Sequence, residues 1–223
     1  RRCPLCDGRT QTVFGVGTPP ARVMFIGEAP GKNEDLQGIP FVGAAGKYLN
    51  ELLAIAGLKR EDVFIANVLK CRPPGNRDPR PEEIQTCTPF LREQTRTIDP
   101  EVLVTLGKFS TQFVLKTQVG ITRLHGRVQR AGKFLVFPIF HPAAALYDGS
   151  KRVALEDDFA TLGELLRQSA QAADASQPTQ GAHTAQDGSA LENAAAAGQA
   201  TDQVAGQADQ QPAQPHYEQE HLL

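Results

Sequence analysis

Arg22-Val23-Met24-Phe25-Ile26-Gly27-Glu28-Ala29-Pro30-Gly31 decides how the rest of the chain is read. A short apolar run that stops at a glycine marks a strand buried on both faces. The glycine-rich segment after it lets the backbone turn sharply and approach a ligand. Outward from it, Gly43 to Ala56 places Ala45, Leu49, Leu52, Leu53 and Ala56 at helical spacing, closed by Gly57. Val63 to Leu69 reads as a second strand, and Pro81-Glu82-Glu83 opens a helix that reaches about Thr97. Val102 to Leu106 is a third strand, followed by a helix from Gly107 to Leu115. Val128-Gln129 and Lys133 to Val136 form a hairpin around Arg130-Ala131-Gly132, leading into Phe137-Pro138-Ile139-Phe140. The last helix spans about Arg152 to Arg167. Strands alternating with helices predict a three-layer α/β/α sandwich with a mostly parallel central sheet.

Composition divides the 223 residues into two parts. All 23 Lys and Arg and 18 of the 25 acids fall in residues 1–167, a balance of 23 − 18 = +5. Residues 168–223 hold the other 7 acids and no base, together with 15 Ala and 12 Gln. Such a stretch buries too little apolar surface to offset its ordering entropy, so a disordered acidic tail is expected from 168 onward. Leu191 to Ala197 is its best candidate for transient helix. No apolar run approaches the roughly 20 residues of a membrane helix. Arg1-Arg2-Cys3-Pro4 is not an apolar signal region, so a soluble, cytoplasmic chain is expected, with a monomer as the default.

In parallel sheets ligands sit beyond the carboxyl ends of the strands, which selects three loops. The first, Gly27 to Asp35, lacks the GxxxxGK[ST] spacing of a phosphate loop, and Glu28 and Glu34 would repel a phosphate. That weighs against an α/β nucleotide hydrolase and leaves a structural turn or a binding loop. Phe41, between Gly38 and Gly43, reads as core or as a stacking platform. Before the second loop, Asn67 stands inside the apolar strand, where its amide is costly unless it caps a neighbouring turn or meets the donor and acceptor edge of a base. In the third, His141 follows Phe140 and reads as a structural His or as a donor to developing negative charge.

The four cysteines stand as Cys3-x2-Cys6 and, far away, Cys71-x15-Cys87. This placement reads better as a metal or cluster site in a reducing compartment than as a disulfide framework. The spacing suits Zn²⁺ as well as an iron–sulfur cluster.

These pieces, taken together, resemble the family 4 uracil-DNA glycosylases, the iron–sulfur branch of that superfamily. The resemblance covers residues 3 to about 167. It rests on Gly27-Glu28-Ala29-Pro30-Gly31 with Glu34-Asp35, on Pro40-Phe41-Val42-Gly43, on Asn67 with Lys70-Cys71-Arg72-Pro73-Pro74, and on His141-Pro142-Ala143. It implies hydrolysis of the N-glycosidic bond of deoxyuridine in DNA, leaving an abasic site for base excision repair. Phe41 would stack on uracil, Asn67 would read its polar edge, and backbone amides at Gly27, Glu28 and Ala29 would hold a carbonyl. His141 would face O2 as charge grows there, with Glu28 or Glu34 giving electrostatic help. The position of the water-activating Asp in the best-known branch is Ala29 here. Cys3, Cys6, Cys71 and Cys87 would hold a [4Fe–4S] cluster, Zn²⁺ being the alternative occupant.

Arg72, Arg77 and Arg80 would contact DNA phosphates, with the Arg123-Leu124-His125-Gly126-Arg127 run as a weaker candidate. Leu146-Tyr147 offers a wedge for the gap left by a flipped base. One branch traps DNA through a His after the second strand; Lys70 to Pro81 holds none, which implies turnover. The ending Gln219-x-x-Leu222-Leu223 resembles the peptide by which bacterial repair proteins dock on the sliding clamp. Two competing readings keep the same fold: a non-catalytic nucleic-acid-binding module, and a glycosylase for another deaminated base.

Overall fold

The computed structural model describes residues 3–175. The expected tail beyond Ala175, its Leu191 to Ala197 segment and the Gln219, Leu222, Leu223 ending lie outside the described residues.

Five strands form one sheet in the order β2-β1-β3-β5-β4. They are β1 (Val23–Gly27), β2 (Val63–Asn67), β3 (Val102–Leu106), β4 (Gln129–Ala131) and β5 (Phe134–Ile139). The pairs β1–β2, β1–β3 and β3–β5 are parallel, and β4–β5 is antiparallel. The helices are α1 (Lys32–Gln37), α2 (Ala44–Ile55), α3 (Pro81–Ile98), α4 (Lys108–Leu115), α5 (Ile121–Leu124) and α6 (Gly149–Ala175).

Alternate residues of each strand enter opposite layers. Val23, Phe25, Ile65, Val104 and Phe137 pack against Leu49 and Leu52 of α2 and Leu155, Phe159 and Leu162 of α6. The Phe25 and Phe159 rings stack with centroids 6.0 Å apart. Met24, Ile26, Ala66, Leu103 and Val136 face Leu91 and Ile98 of α3 and Val114 of α4. Burial of both faces explains why the central strands read as continuous apolar runs. No described helix is long and apolar enough to cross a membrane.

Three details differ from the sequence expectation. The glycine loop after β1 holds a short helix, α1, stopped by Gly38 at φ +72°. A second short helix, α5, precedes the β4–β5 hairpin. Helix α6 ends at Ala175 rather than near Arg167. Buried Leu162 and Leu166 anchor its middle, and adding Ala and Gln to an anchored helix costs little.

Candidate active site

Strand order reverses beside β1, and a cavity of about 420 Å³ opens there at the carboxyl ends of the strands. Glu28, Ala29, Glu34, Phe41, Asn67 and His141 line it together, although they come from four separate segments. A larger groove of about 670 Å³, lined by Arg22, Val23, Asp62 and Arg167, lies near the amino end of β1, away from these groups.

Asn67 ends β2 opposite Gly27, its registered partner at the end of β1. A Cβ at Gly27 would stand 2.2 Å from Asn67 Oδ1 and 2.8 Å from Phe41 Cζ, so only glycine lets the amide and ring close in. Gly27 therefore backs the wall rather than lining it. Asn67 is 2% exposed, and its Oδ1 has no hydrogen-bond partner among the described residues. An unsatisfied buried acceptor costs about 1–3 kcal/mol, which a ligand N–H would recover. On the far side, the buried Lys70 ammonium donates to the Asn67 carbonyl at 2.7 Å and to Gln94 Oε1 at 2.5 Å. Burial lowers the Lys70 pKa to about 7.

Phe41 adopts φ +54°, a left-handed conformation costly for an aromatic residue. Its surroundings hold it there. The Val42 and Gly43 N–H groups donate to Glu34 Oε1 at 3.0 and 3.2 Å. Arg60 donates to the Pro40 carbonyl at 2.5 Å and to Asn50 Oδ1 at 3.1 Å. Helix α2 presses so closely that a Cβ at Gly46 would lie 1.8 Å from the Phe41 carbonyl oxygen. The Phe41 ring stacks on His141 with centroids 5.6 Å apart.

His141 lies two residues beyond β5 and caps a 3-10 turn at Pro142–Leu146, its Nδ1 accepting the Ala143 N–H at 3.1 Å. Burial lowers its pKa to about 4, against a smaller opposing influence from Glu34. The ring is therefore neutral at pH 7, and with Nδ1 an acceptor its proton sits on Nε2. Gly107, at φ +92°, makes room: a Cβ there would meet His141 Cβ at 3.0 Å.

The two acids differ. Glu34 is occupied with the Phe41 loop, whereas the half-buried Glu28 carboxylate has no side-chain hydrogen bond among the described residues. Burial, then the charge of Asp78, raises the Glu28 pKa.

The three arginines separate as well. Arg77 lines the cavity but is paired through both terminal nitrogens with buried Glu83, at 2.9 and 2.5 Å. Arg72 donates to Asn76 Oδ1 at 2.7 Å, and Arg80 is exposed. Pro73, Asn76, Ala45 and Ala143 also line the wall, although nothing in the sequence assigned any of them a part in the pocket. The Pro-Pro-Gly-Asn turn signal was present, but only folding shows that this turn covers the cavity. In the basic run, His125 is bound to buried Asp158 at 2.9 Å and packs on Phe140, with ring centroids 4.4 Å apart.

The cysteines converge at the other end of the same loops. Leu5, Leu69, Cys71 and Cys87 form a small buried cluster against which Cys3 packs, and all four thiols are free. A cavity of about 320 Å³ adjoins Cys3, Cys71 and Cys87, lined also by Arg9, Phe14 and Lys70, whereas Cys6 lies outside that lining and its thiol donates to Asp7 Oδ1 at 3.4 Å. The N-terminal segment is held there by Thr10 N–H bonds to the buried Asp35 carboxylate, and by the Val13 N–H bond to the Lys70 carbonyl at 2.8 Å. Among the described residues no three His, Cys, Asp or Glu side chains are grouped to hold a single metal ion.

Fold and cavity define an α/β/α protein with an aromatic and amide-lined cleft at the topological switch point of its sheet. The family model described as the uracil DNA glycosylase superfamily matches residues 14–166. The type-4 uracil-DNA glycosylase of Archaeoglobus fulgidus is 50% identical over 173 residues, covering 74% of this chain and 87% of the relative. That of Thermotoga maritima is 46% identical over 160 residues, 70% of this chain and 83% of the relative. The type-5 enzyme of Pyrobaculum aerophilum is 33% identical over 189 residues, 75% and 81% of the two chains. This chain belongs to the uracil-DNA glycosylase superfamily, on its type-4 side.

Proposed function

We propose that this chain is a monofunctional uracil-DNA glycosylase that hydrolyses the N-glycosidic bond of deoxyuridine in DNA and leaves an abasic site for repair. The unpartnered Asn67 Oδ1, in a wall shared with Phe41 and neutral His141, carries the reading. Uracil presents an imide N–H to that oxygen. Cytosine presents a bare ring nitrogen there, which leaves the acceptor unpaired.

The target base leaves the duplex, at a cost of a few kcal/mol that is smaller for a mispaired U. Phe41 takes its face and Asn67 its edge, with the Glu28 and Ala29 backbone against a carbonyl. The bond's electron pair leaves with the base, and His141 Nε2–H donates to O2 as charge gathers there. Water then attacks the sugar cation. Glu28, unbonded and half-buried, gives electrostatic help; Glu34 acts by holding Phe41.

Four free thiols gathered from residues 3 to 87 are the donor set of a [4Fe–4S] cluster. Cys3, Cys6, Cys71 and Cys87 would hold it. Four thiolates suit Zn²⁺ as well; the similarity to type-4 enzymes is what favours the cluster. When bound, the cluster supplies iron–thiolate cross-links between the N-terminus, the loop after β2 and helix α3.

Arg80 and Arg72 are the phosphate contacts, Arg77 being held by Glu83. Tyr147, 91% exposed five residues after the start of the His141 turn, is the wedge. The Gln219, Leu222, Leu223 ending would tether a monomer to the sliding clamp at the nucleoid; equal clamp pull-down without the last five residues refutes this.

Incubating the anaerobically purified chain with a uracil-containing oligonucleotide tests the main reading. Free uracil and alkali-labile sites are expected, both forming ~10²–10³-fold more slowly in His141→Ala. No release from cluster-loaded protein refutes it in favour of another base or of binding alone.

A further inference from the structure

Arg9 belongs to none of the motifs used above, yet its guanidinium reaches across 62 residues to the cysteine site. Its Nη1 donates to the Sγ of Cys71 at 3.0 Å. Cys71 is buried and Arg9 half-buried, so water screens this contact only in part. Arg9 also lines the cavity next to Cys3, Cys71 and Cys87.

The other cation there, Lys70, is turned away: its ammonium is bound by the Asn67 carbonyl and Gln94. The acids near the site work against Arg9. Asp7 accepts from Cys6 Sγ at 3.4 Å, and Glu83 lies near Cys3. Arg9 is thus the cation whose charged tip meets a cysteine sulfur in the described residues. A guanidinium is permanently charged and can only donate, so it favours the more negative of two sulfur environments. Hydrogen bonds to ligating sulfurs and net charge are what set the potential of an iron–sulfur centre.

We propose that Arg9 is a positioning and charge-compensating residue of the cysteine site, anchoring the Cys71 sulfur and easing one-electron reduction of a bound [4Fe–4S] cluster. The inference rests on the cluster reading given under Proposed function. Reduction adds one electron to the cluster, supplied in the test by an electrode, and breaks no bond to the cysteines.

The test compares the full chain with Arg9→Met, which keeps the length and loses the charge, and Arg9→Lys, which restores a charge. Iron and acid-labile sulfide content, the midpoint potential and the rate of iron release to a chelator are measured on each. Reduction of the Met variant should be about tenfold less favourable, a shift of about 59 mV to more negative potential for one electron. Its iron release should be several-fold faster, and the Lys variant should recover part of both.

A Met variant matching the parent in potential and release overturns the assignment, as does a Lys variant that tracks the Met variant. If the Met variant loses its iron on purification, retention by the Lys variant supports the assignment and loss from both overturns it. A parent chain without iron overturns the cluster reading and this inference together. A loaded parent beside an unmoved Met variant overturns the role of Arg9 alone.

Discussion

At the scale of single residues the protonation of His141 is decisive. Its pKa of about 4 leaves a neutral ring with its proton on Nε2, so it acts as a donor and not as an acid. The single-turnover rate should stay level from pH 8 down to about pH 5, and an acidic limb near 6.5 would contradict this. Between pH 6.5 and about 4 the unfolded chain binds a proton that the folded chain refuses, so stability falls as pH drops, by up to ~3 kcal/mol. Denaturant titrations across that range, repeated on His141→Ala, check the sign. Removing the donor should cost ~10²–10³ in rate. Asn67→Ala should lower kcat/KM on uracil by about 10- to 100-fold, the equivalent of one well-placed buried hydrogen bond.

At the scale of elements the loop between α1 and α2 and the helix α6 set the site. Glu34→Ala frees the Val42 and Gly43 N–H groups and should weaken substrate binding more than the chemical step. Glu34→Gln keeps an acceptor and should stay close to the parent; a Gln variant as slow as His141→Ala would make Glu34 a catalytic group instead. Asp158 of α6 holds His125 against Phe140, next to His141. Asp158→Ala should cost on the order of 2 kcal/mol, because His125 keeps part of its solvent, and lower the melting temperature by about 4–8 °C. The sequence showed both segments as helix or loop but gave no sign of these partners. Glu34 lies eight residues from Val42 and Asp158 lies 33 from His125, and such pairs become neighbours only when elements dock.

At the scale of the molecule two ends of the same loops carry different work. The loop after β2 borders the cleft through Asn76 and Arg77 and the cysteine site through Cys71. If DNA affinity comes from phosphate contacts, Arg80→Ala should reduce the slope of log affinity against log salt by about 1. Arg77→Ala should instead release Glu83, loosen the loop and lower activity with little change in slope. Equal slopes for Arg80→Ala and the parent would move the DNA surface elsewhere.

The sequence by itself determined the layers of the fold and the edge on which the chemistry gathers. Fully apolar strands separated by helical periods can bury both faces only in a parallel sheet. In such a sheet every carboxyl end falls on one side, so Gly27, Asn67 and His141 had to share one edge, and the strand order decided which of them adjoin. Tertiary structure alone decided what each group does there. It committed Glu34 to two backbone N–H groups and Arg77 to Glu83, left Asn67 Oδ1 without a partner, and put the His141 proton on Nε2. It also extended α6 to Ala175, beyond the point where composition changes. Periodicity records which face of an element is buried. Hydrogen-bond partners and desolvation depend on which distant atoms arrive at that face.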